Sequence, residues 1–399
     1  MNASSTKQWI ARFALLGLAL APAMARGEHV AADLHFRLID NRVFLPATLN
    51  GHGPYQMLLD TGADVAGVSL DVLREIGAPV RGREQLGGAG ENTEAVTKTE
   101  IGSVRLGGAA FRDWPAIALG FGAHNAVIGF QRFDGVAGQQ VFRRYVVDID
   151  FARTRLTLIE PKDYRAPAGA IVVPFTFYDG YIPLVRGAIA GVRGKFMVDL
   201  GDRSSLTLFG SFWRGHGLDD KLGPGIDALT GYGLGGPVRG LVVRVPGFSF
   251  GAATAKGVVA RLSLQASGGF ADTHIAGSIG AGLLRRFRTI FDYPHSRILL
   301  LPQTAQPDRY DRAGMWLGRH GAQFEVFDVV AGGPAEVAGL RKGDVVTQID
   351  RRKVETLDLF AVREELRDPR YNEPLLVDFL RGSRAGQATL RLRDQLPGG

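Results

Sequence analysis

The chain has 399 residues, 45% hydrophobic and 22% charged, with 47 Lys and Arg against 40 Asp and Glu and a net charge of +7. That length predicts roughly two to four domains, and the composition is that of an ordinary globular protein. With no Cys in the sequence, disulfides, a thiol nucleophile, a lipid-modified N-terminal cysteine and Cys-rich zinc sites are all excluded.

The chain opens with "MNASSTKQWIAR", carrying Lys7 and Arg12, then the apolar run "FALLGLALAPAMA" with small residues at Ala23 and Ala25. This is the layout of a secretory signal over residues 1–25, cleaved after Ala25. The run falls short of the ~20 apolar residues needed to span a bilayer, so the mature chain is expected to have no membrane span and to be periplasmic or secreted. The 54 Gly lie largely in short punctuated segments, which favours strands and tight turns over long helices. Positive charge is spread out, and Arg143-Arg144 and Arg285-Arg286 sit among apolar residues. Neither pattern resembles a nucleic-acid-reading element.

The next feature is "YQMLLDTGAD", an apolar strand ending in Asp60. A lone carboxylate there is costly to bury, and alone it is also compatible with a solvated turn. Its meaning comes from an internal repeat. "VFRRYVVDIDFARTRLTLIE" (141–160) aligns without gaps on "LLRRFRTIFDYPHSRILLLP" (283–302), an offset of 142 residues, each copy reading as two strands and a turn. Upstream, "GKFMVDLGDR" places Asp199 on Asp60, 139 residues apart. A strand–Gly turn–strand unit precedes each Asp: Asn50-Gly51 marks the first turn, and Gly191 and Gly194 the second. A short helix is predicted after each, with Ser69 as N-cap and Gly77 as stop in the first copy, and "SLTLFGSFWRGHG" as a less regular counterpart. Both copies then show a glycine-rich hairpin tip, "LGGAGE" and "GYGLGGP", and an apolar-Gly junction, "DGVAG" and "AGSIG".

Two like lobes would bring Asp60 and Asp199 together at their interface. Paired carboxylates share one proton, so one activates water while the other protonates a carbonyl, and their titrations split as a property of the pair. A Gly after the Asp permits close backbone approach, and the Thr hydroxyl can tie its loop to the opposite lobe.

At these residues the chain resembles the pepsin/retropepsin aspartic proteases, and in particular the bacterial secreted retropepsin-like group with two lobes and a C-terminal PDZ domain. The resemblance implies a mainly β, bilobal fold over about residues 33–303. It implies Asp60 and Asp199 as the catalytic pair, Thr61, Gly62, Ala63 and Gly201 as supporting residues, and Gly87, Gly88 and Gly90 in a mobile flap. It also implies a peptide or protein substrate, no cofactor, no metal, and a monomer that holds both aspartates in one chain. The second motif departs from the pattern as Asp199-Leu200-Gly201-Asp202. Leu200 has no hydroxyl, and Asp202 is expected to pair with Arg203 or to raise a neighbour's pKa. A non-catalytic peptide-binding protein is therefore the alternative reading.

Residues 304–312, "TAQPDRYDR", read as a linker. Beyond them, "GPAEVAGLRKGD", a helix predicted at 359–366 and a closing hairpin resemble a PDZ domain over 313–399. The organisation read from the sequence is thus a signal at 1–25, lobes at 26–165 and 166–303, a linker at 304–312 and the PDZ domain. Such domains bind by strand addition and capture a peptide carboxylate on backbone amides. "GMWLG" supplies the candidate loop at Met315, Trp316, Leu317 and Gly318, with a domain that packs on the lobes and binds nothing as the alternative.

Overall fold

The computed structural model describes residues 28–304 and 307–396; the signal-peptide reading falls outside them. The chain is mainly β. One eight-stranded sheet spans strands Arg37–Ile39 through Gly135–Ala137, and a second spans Thr176–Tyr178 through Gly277–Gly280. Both wind in the same strand order, and each is closed by an extra pairing between its second and sixth strands in chain order. The sequence repeat is therefore a structural one.

A six-stranded antiparallel sheet joins the lobes. Val30–His35, Val146–Asp150 and Arg155–Ile159 come from the first, and Ile171–Pro174, Phe287–Asp292 and Arg297–Pro302 from the second. The strands of the 142-residue repeat meet at its centre, with Val147 opposite Phe291 and Ile149 opposite Thr289. One hydrophobic cluster runs through both lobes, whereas the C-terminal domain has its own.

Local chemistry explains the short elements. The Leu70–Glu75 helix starts at Ser69, whose hydroxyl accepts the Val72 amide at 3.1 Å, and stops before Gly77 at φ +59°. The second-lobe hairpin turns at Ala190-Gly191, both with positive φ. Gly194, expected in that turn, lies inside the Val192–Asp199 strand and packs against Ala276 and Phe212.

The C-terminal domain is a five-strand path starting at the edge strand Met315–His320, with the Leu359–Arg367 helix packed beside that edge. The predicted linker is not a free tether where it is described. Asp308 pairs with Arg286 at 2.9 Å and accepts the Val259 amide, and Arg312 is buried against Asp394, Asn372 and two carbonyls. No helix among the described residues is long and apolar enough to cross a membrane.

Candidate active site

Asp60 ends the His52–Leu59 strand, and its amide bonds Ala137 O at 3.0 Å. Asp199 is the last residue of Val192–Asp199, in parallel register with Gly280. The "DGVAG" and "AGSIG" landmarks end in glycine because the Asp loops lie directly on them: a Cβ on Gly138 would meet Ala63 O at 2.6 Å, and one on Gly280 would meet Asp202 O at 2.6 Å.

The two loops face each other with near-twofold symmetry. Gly62 N donates to Asp60 Oδ1 at 2.7 Å, and Gly201 N donates to Asp199 Oδ1 at 2.9 Å. Each glycine also lies flat against the opposite aspartate, so that a Cβ on Gly62 would reach Asp199 Oδ1 at 2.9 Å and one on Gly201 would overlap the Asp60 carboxyl. The two carboxyl groups act directly on one another's ionisation. Burial raises the pKa of Asp60, opposed by the Gly62 and Gly201 amides and by the charge of Arg42. Asp199 is raised well above the ordinary range, by burial first, then by the charges of Asp60 and Asp202.

Thr61 is fully buried and spans the lobe junction. Its hydroxyl donates to Val198 O at 2.7 Å and accepts from Leu200 N at 3.0 Å. The mirror bonds are absent, since Leu200 is apolar and packs in the core. The grip between the loops is thus one hydroxyl using both its donor and an acceptor position. Thr61→Val keeps the shape and strands two buried backbone groups, which should cost about 2–4 kcal/mol. Urea unfolding of the variant checks this, and an unchanged midpoint would contradict it.

Asp202 does not pair with Arg203. It forms a buried ion pair with Arg261 at 3.1 Å and accepts from Thr207 Oγ1 and Ser204 N, both at 2.9 Å. Arg203 reaches instead to Asp40, with Nη2 to Oδ1 at 2.6 Å and a second bond from Nε. Burial alone would raise the pKa of Asp40, but Arg203, Arg367 and Arg42 around it hold it well below the usual carboxylate range. Asp40 lies in the first lobe, Arg203 in the second and Arg367 in the C-terminal domain, so one carboxylate links three units.

The cleft over the aspartates measures about 1030 Å³. Two hairpin tips close it. Gly90 N donates to Leu234 O at 2.8 Å, Asn92 N to Gly235 O at 3.0 Å, and Gly269 N to Gly88 O at 2.7 Å. Gly88 and Gly90 are in the tip contact, where a Cβ on Gly88 would meet Leu234 Cβ at 2.6 Å and one on Gly90 would overlap the Gly235 backbone. Gly87 ends the Val80–Gly87 strand, with only Thr93 Cγ2 in reach at 3.9 Å. Sequence reasoning missed the Glu91 contacts, in which its carboxylate accepts the Ala266 amide at 2.6 Å and its carbonyl accepts Ser267 Oγ at 3.0 Å. It also missed Arg42 and Tyr181, which line the cleft. They are repeat counterparts at the 139-residue offset, and extending the alignment eighteen residues upstream of each Asp would have found them.

Met315–Gly318 form the first four residues of a six-residue edge strand, not a loop. The amides of Gly314 and Met315 already hold a carboxylate, Asp311 Oδ2, at 2.6 and 3.1 Å. The free edge of the strand faces the Gly122–Ile128 helix of the first lobe, with Trp316 Nε1 on Val127 O at 2.6 Å and Arg319 Nε on Gly129 O at 2.7 Å. Arg363 of the neighbouring helix donates to Ile128 O at 2.6 Å, Val127 O at 3.2 Å and Leu317 O. Val127 O and Ile128 O are carbonyls at a helix C-terminus, the end that favours cations, and Leu317 O belongs to the edge strand.

Two lobes of like winding, a facing pair of Asp-x-Gly loops at their junction and a C-terminal β domain define the class. Residues 45–135 match the family model for an aspartyl protease, and residues 325–377 match that for a PDZ domain. The chain therefore carries a domain of the aspartyl protease family, which includes Asp60, and a PDZ domain. No curated protein matches the chain.

Proposed function

We propose that the chain is an aspartic endopeptidase that works as one bilobal unit, with lobes at 26–165 and 166–303, exported by means of residues 1–25. The carrying observation is the reciprocal seating of the two carboxyls, each bound by its own loop's glycine amide and pressed against the other loop's glycine.

The asymmetry around the pair assigns the roles. Arg42 favours the ionised form of Asp60, and Asp202 disfavours that of Asp199. Asp60 is the base and Asp199 the acid. Asp60 takes a proton from water as its oxygen adds to the scissile carbonyl carbon, and Asp199 gives its proton to the carbonyl oxygen. Collapse of the tetrahedral intermediate returns that proton to Asp199, breaks the C–N bond and sends the proton on Asp60 to the leaving amine. The alternative of peptide binding without turnover rests on Leu200, and the two-way bonding of Thr61 argues against it.

The pH dependence follows. Activity requires one proton on the pair, so kcat/KM is bell-shaped, with its acid limb above the usual Asp value of about 3.9 and its alkaline limb higher still. Asp202→Asn removes the anion beside Asp199 and leaves Arg261 uncompensated, and both changes favour ionised Asp199. The alkaline limb should move to lower pH, and stability should fall by about 3–5 kcal/mol, so the change is not mild. A flat profile from about pH 3 to 8 on a cleaved peptide would overturn the reading. Folding has its own sign: a carboxyl raised on folding contributes stability that is complete below its unfolded pKa and fades as pH climbs through the folded one, so the pair favours the fold more at acid than at neutral pH.

A further inference from the structure

The cleft is asymmetric in charge. On one side lies Arg42, and its repeat counterpart on the other side is Tyr181. The same offset places Arg203 opposite Asp64. Arg42 is only 5% exposed, yet its Nε and Nη2 have no hydrogen-bond partner. The carboxylate nearest to it, Asp40, is 3.7 Å from Nη2, already takes two hydrogen bonds from Arg203, and has Arg367 as a third cation at 3.7 Å. The charges of Asp202 and then Asp60 also act on Arg42, and Asp202 is already paired with Arg261. Around the guanidinium the wall is apolar and aromatic: it lies 5.7 Å from the Phe130 ring, and Leu58, Ile128 and Phe133 line the cleft beside it. His124 lines the same wall, kept neutral at ordinary pH by burial and by Arg42, with Nδ1 also unpartnered.

A buried guanidinium in excess over its carboxylates, open to a substrate cleft, is expensive unless an anion completes it. Its planar fork matches a carboxylate, and the aromatic wall suits a short aliphatic stem. We infer that Arg42 forms a subsite for a peptide carboxylate on one side of the scissile bond, so that preferred substrates carry an acidic side chain, or the chain's own C-terminus, at that place. This rests on reading the cleft as a peptide-cleaving site. The other cations that line the cleft among the described residues are paired, Arg81 with Glu100, Lys98 with Glu84, Arg203 with Asp40 and Arg261 with Asp202. The side with Tyr181 carries the Asp64 carboxylate, so the preference is one-sided.

The test uses the full chain and three peptide sets: internal Glu against Gln at each position flanking the cut, free against amidated C-termini, and acidic residues placed on either side. kcat/KM should favour the carboxylate about tenfold to a hundredfold on one side only, and Arg42→Gln should shrink that ratio to about threefold or less. A Glu preference identifies a side chain as the ligand, and a free-terminus preference identifies the chain end. No carboxylate preference at any position, or an equal one on both sides, overturns the inference. Fluorescence anisotropy of the same peptides on Asp60→Asn separates the two readings. Carboxylate-selective binding without turnover by the wild type sinks the peptidase and keeps the subsite, while turnover without selectivity does the reverse. The Glu/Gln comparison on the wild type stands even if Arg42→Gln fails to fold.

Discussion

Asp60→Asn lowers kcat/KM by about a thousandfold or more while the protein stays folded, and Asp199→Asn does the same within an order of magnitude. The two effects are alike because either change breaks one proton-sharing unit. Asn keeps the carbonyl that accepts the Gly62 or Gly201 amide, so the loops retain their geometry. It also removes a carboxyl whose pKa is raised by burial, so melting temperatures at neutral pH should hold or rise. Circular dichroism with peptide kinetics on the same samples makes the measurement. A folded Asp60→Asn that keeps most of its activity contradicts the account. If Asp199→Asn is silent while Asp60 is essential, the active form pairs two Asp60 sites from separate chains, and the specific rate then climbs with protein concentration.

The second large effect concerns the C-terminal domain. The Leu359–Arg367 helix and the strand beside it cap the helix Gly122–Ile128, and Phe121, His124 and Ile128 of that region line the cleft. Phe360 packs on Phe130 at 5.1 Å, and the guanidiniums of Arg203 and Arg363 lie 5.0 and 4.7 Å from the Trp316 ring. Burial lowers the pKa of Arg363 to about 9, which leaves it charged at neutral pH. Arg363→Met should cost about 2–4 kcal/mol through the lost charge-assisted bonds and lower kcat/KM at least about tenfold through the loosened wall. Deleting 304–399 should leave a folded two-lobe core, since that hydrophobic cluster draws on no C-terminal residue. It also uncovers the Phe130 patch and leaves Val127 O and Ile128 O without their cationic cap, so activity falls as it does in Arg363→Met. Full activity of the truncated chain would show that the domain is not part of the cleft wall. Peptide capture at the Met315–His320 edge requires this helix to be displaced, which makes the domain a brace in the state described.

What was legible in the sequence is what repeats or what acts locally. The 139- and 142-residue offsets mark the two Asp loops, the junction glycines and the central strands because each copy must make the same backbone approaches. Ser69 and Gly77 announce a helix through their immediate neighbours. The Asp40–Arg203–Arg367 link, the Asp202–Arg261 pair and the docking of the C-terminal domain join residues far apart in the chain and impose no period on it. Adjacency offers Arg203 as a partner for Asp202, yet neighbours along a loop point different ways and Asp202 pairs with Arg261; its other expected effect, raising a neighbour's pKa, falls on Asp199. The strand at the candidate carboxylate loop and the helix covering its edge were not legible for a related reason, since that helix belongs to another unit.

The central claim is that Asp60 and Asp199 of one chain hydrolyse peptide bonds together. Its most direct test is mass spectrometry of a peptide library incubated with the mature chain at acid to neutral pH, with and without a statine-type inhibitor. The account predicts cleavage at internal bonds, with one solvent oxygen in each new C-terminus, suppressed by the inhibitor, at a specific rate independent of protein concentration. Measurable peptide binding with no cleavage of any peptide would contradict it.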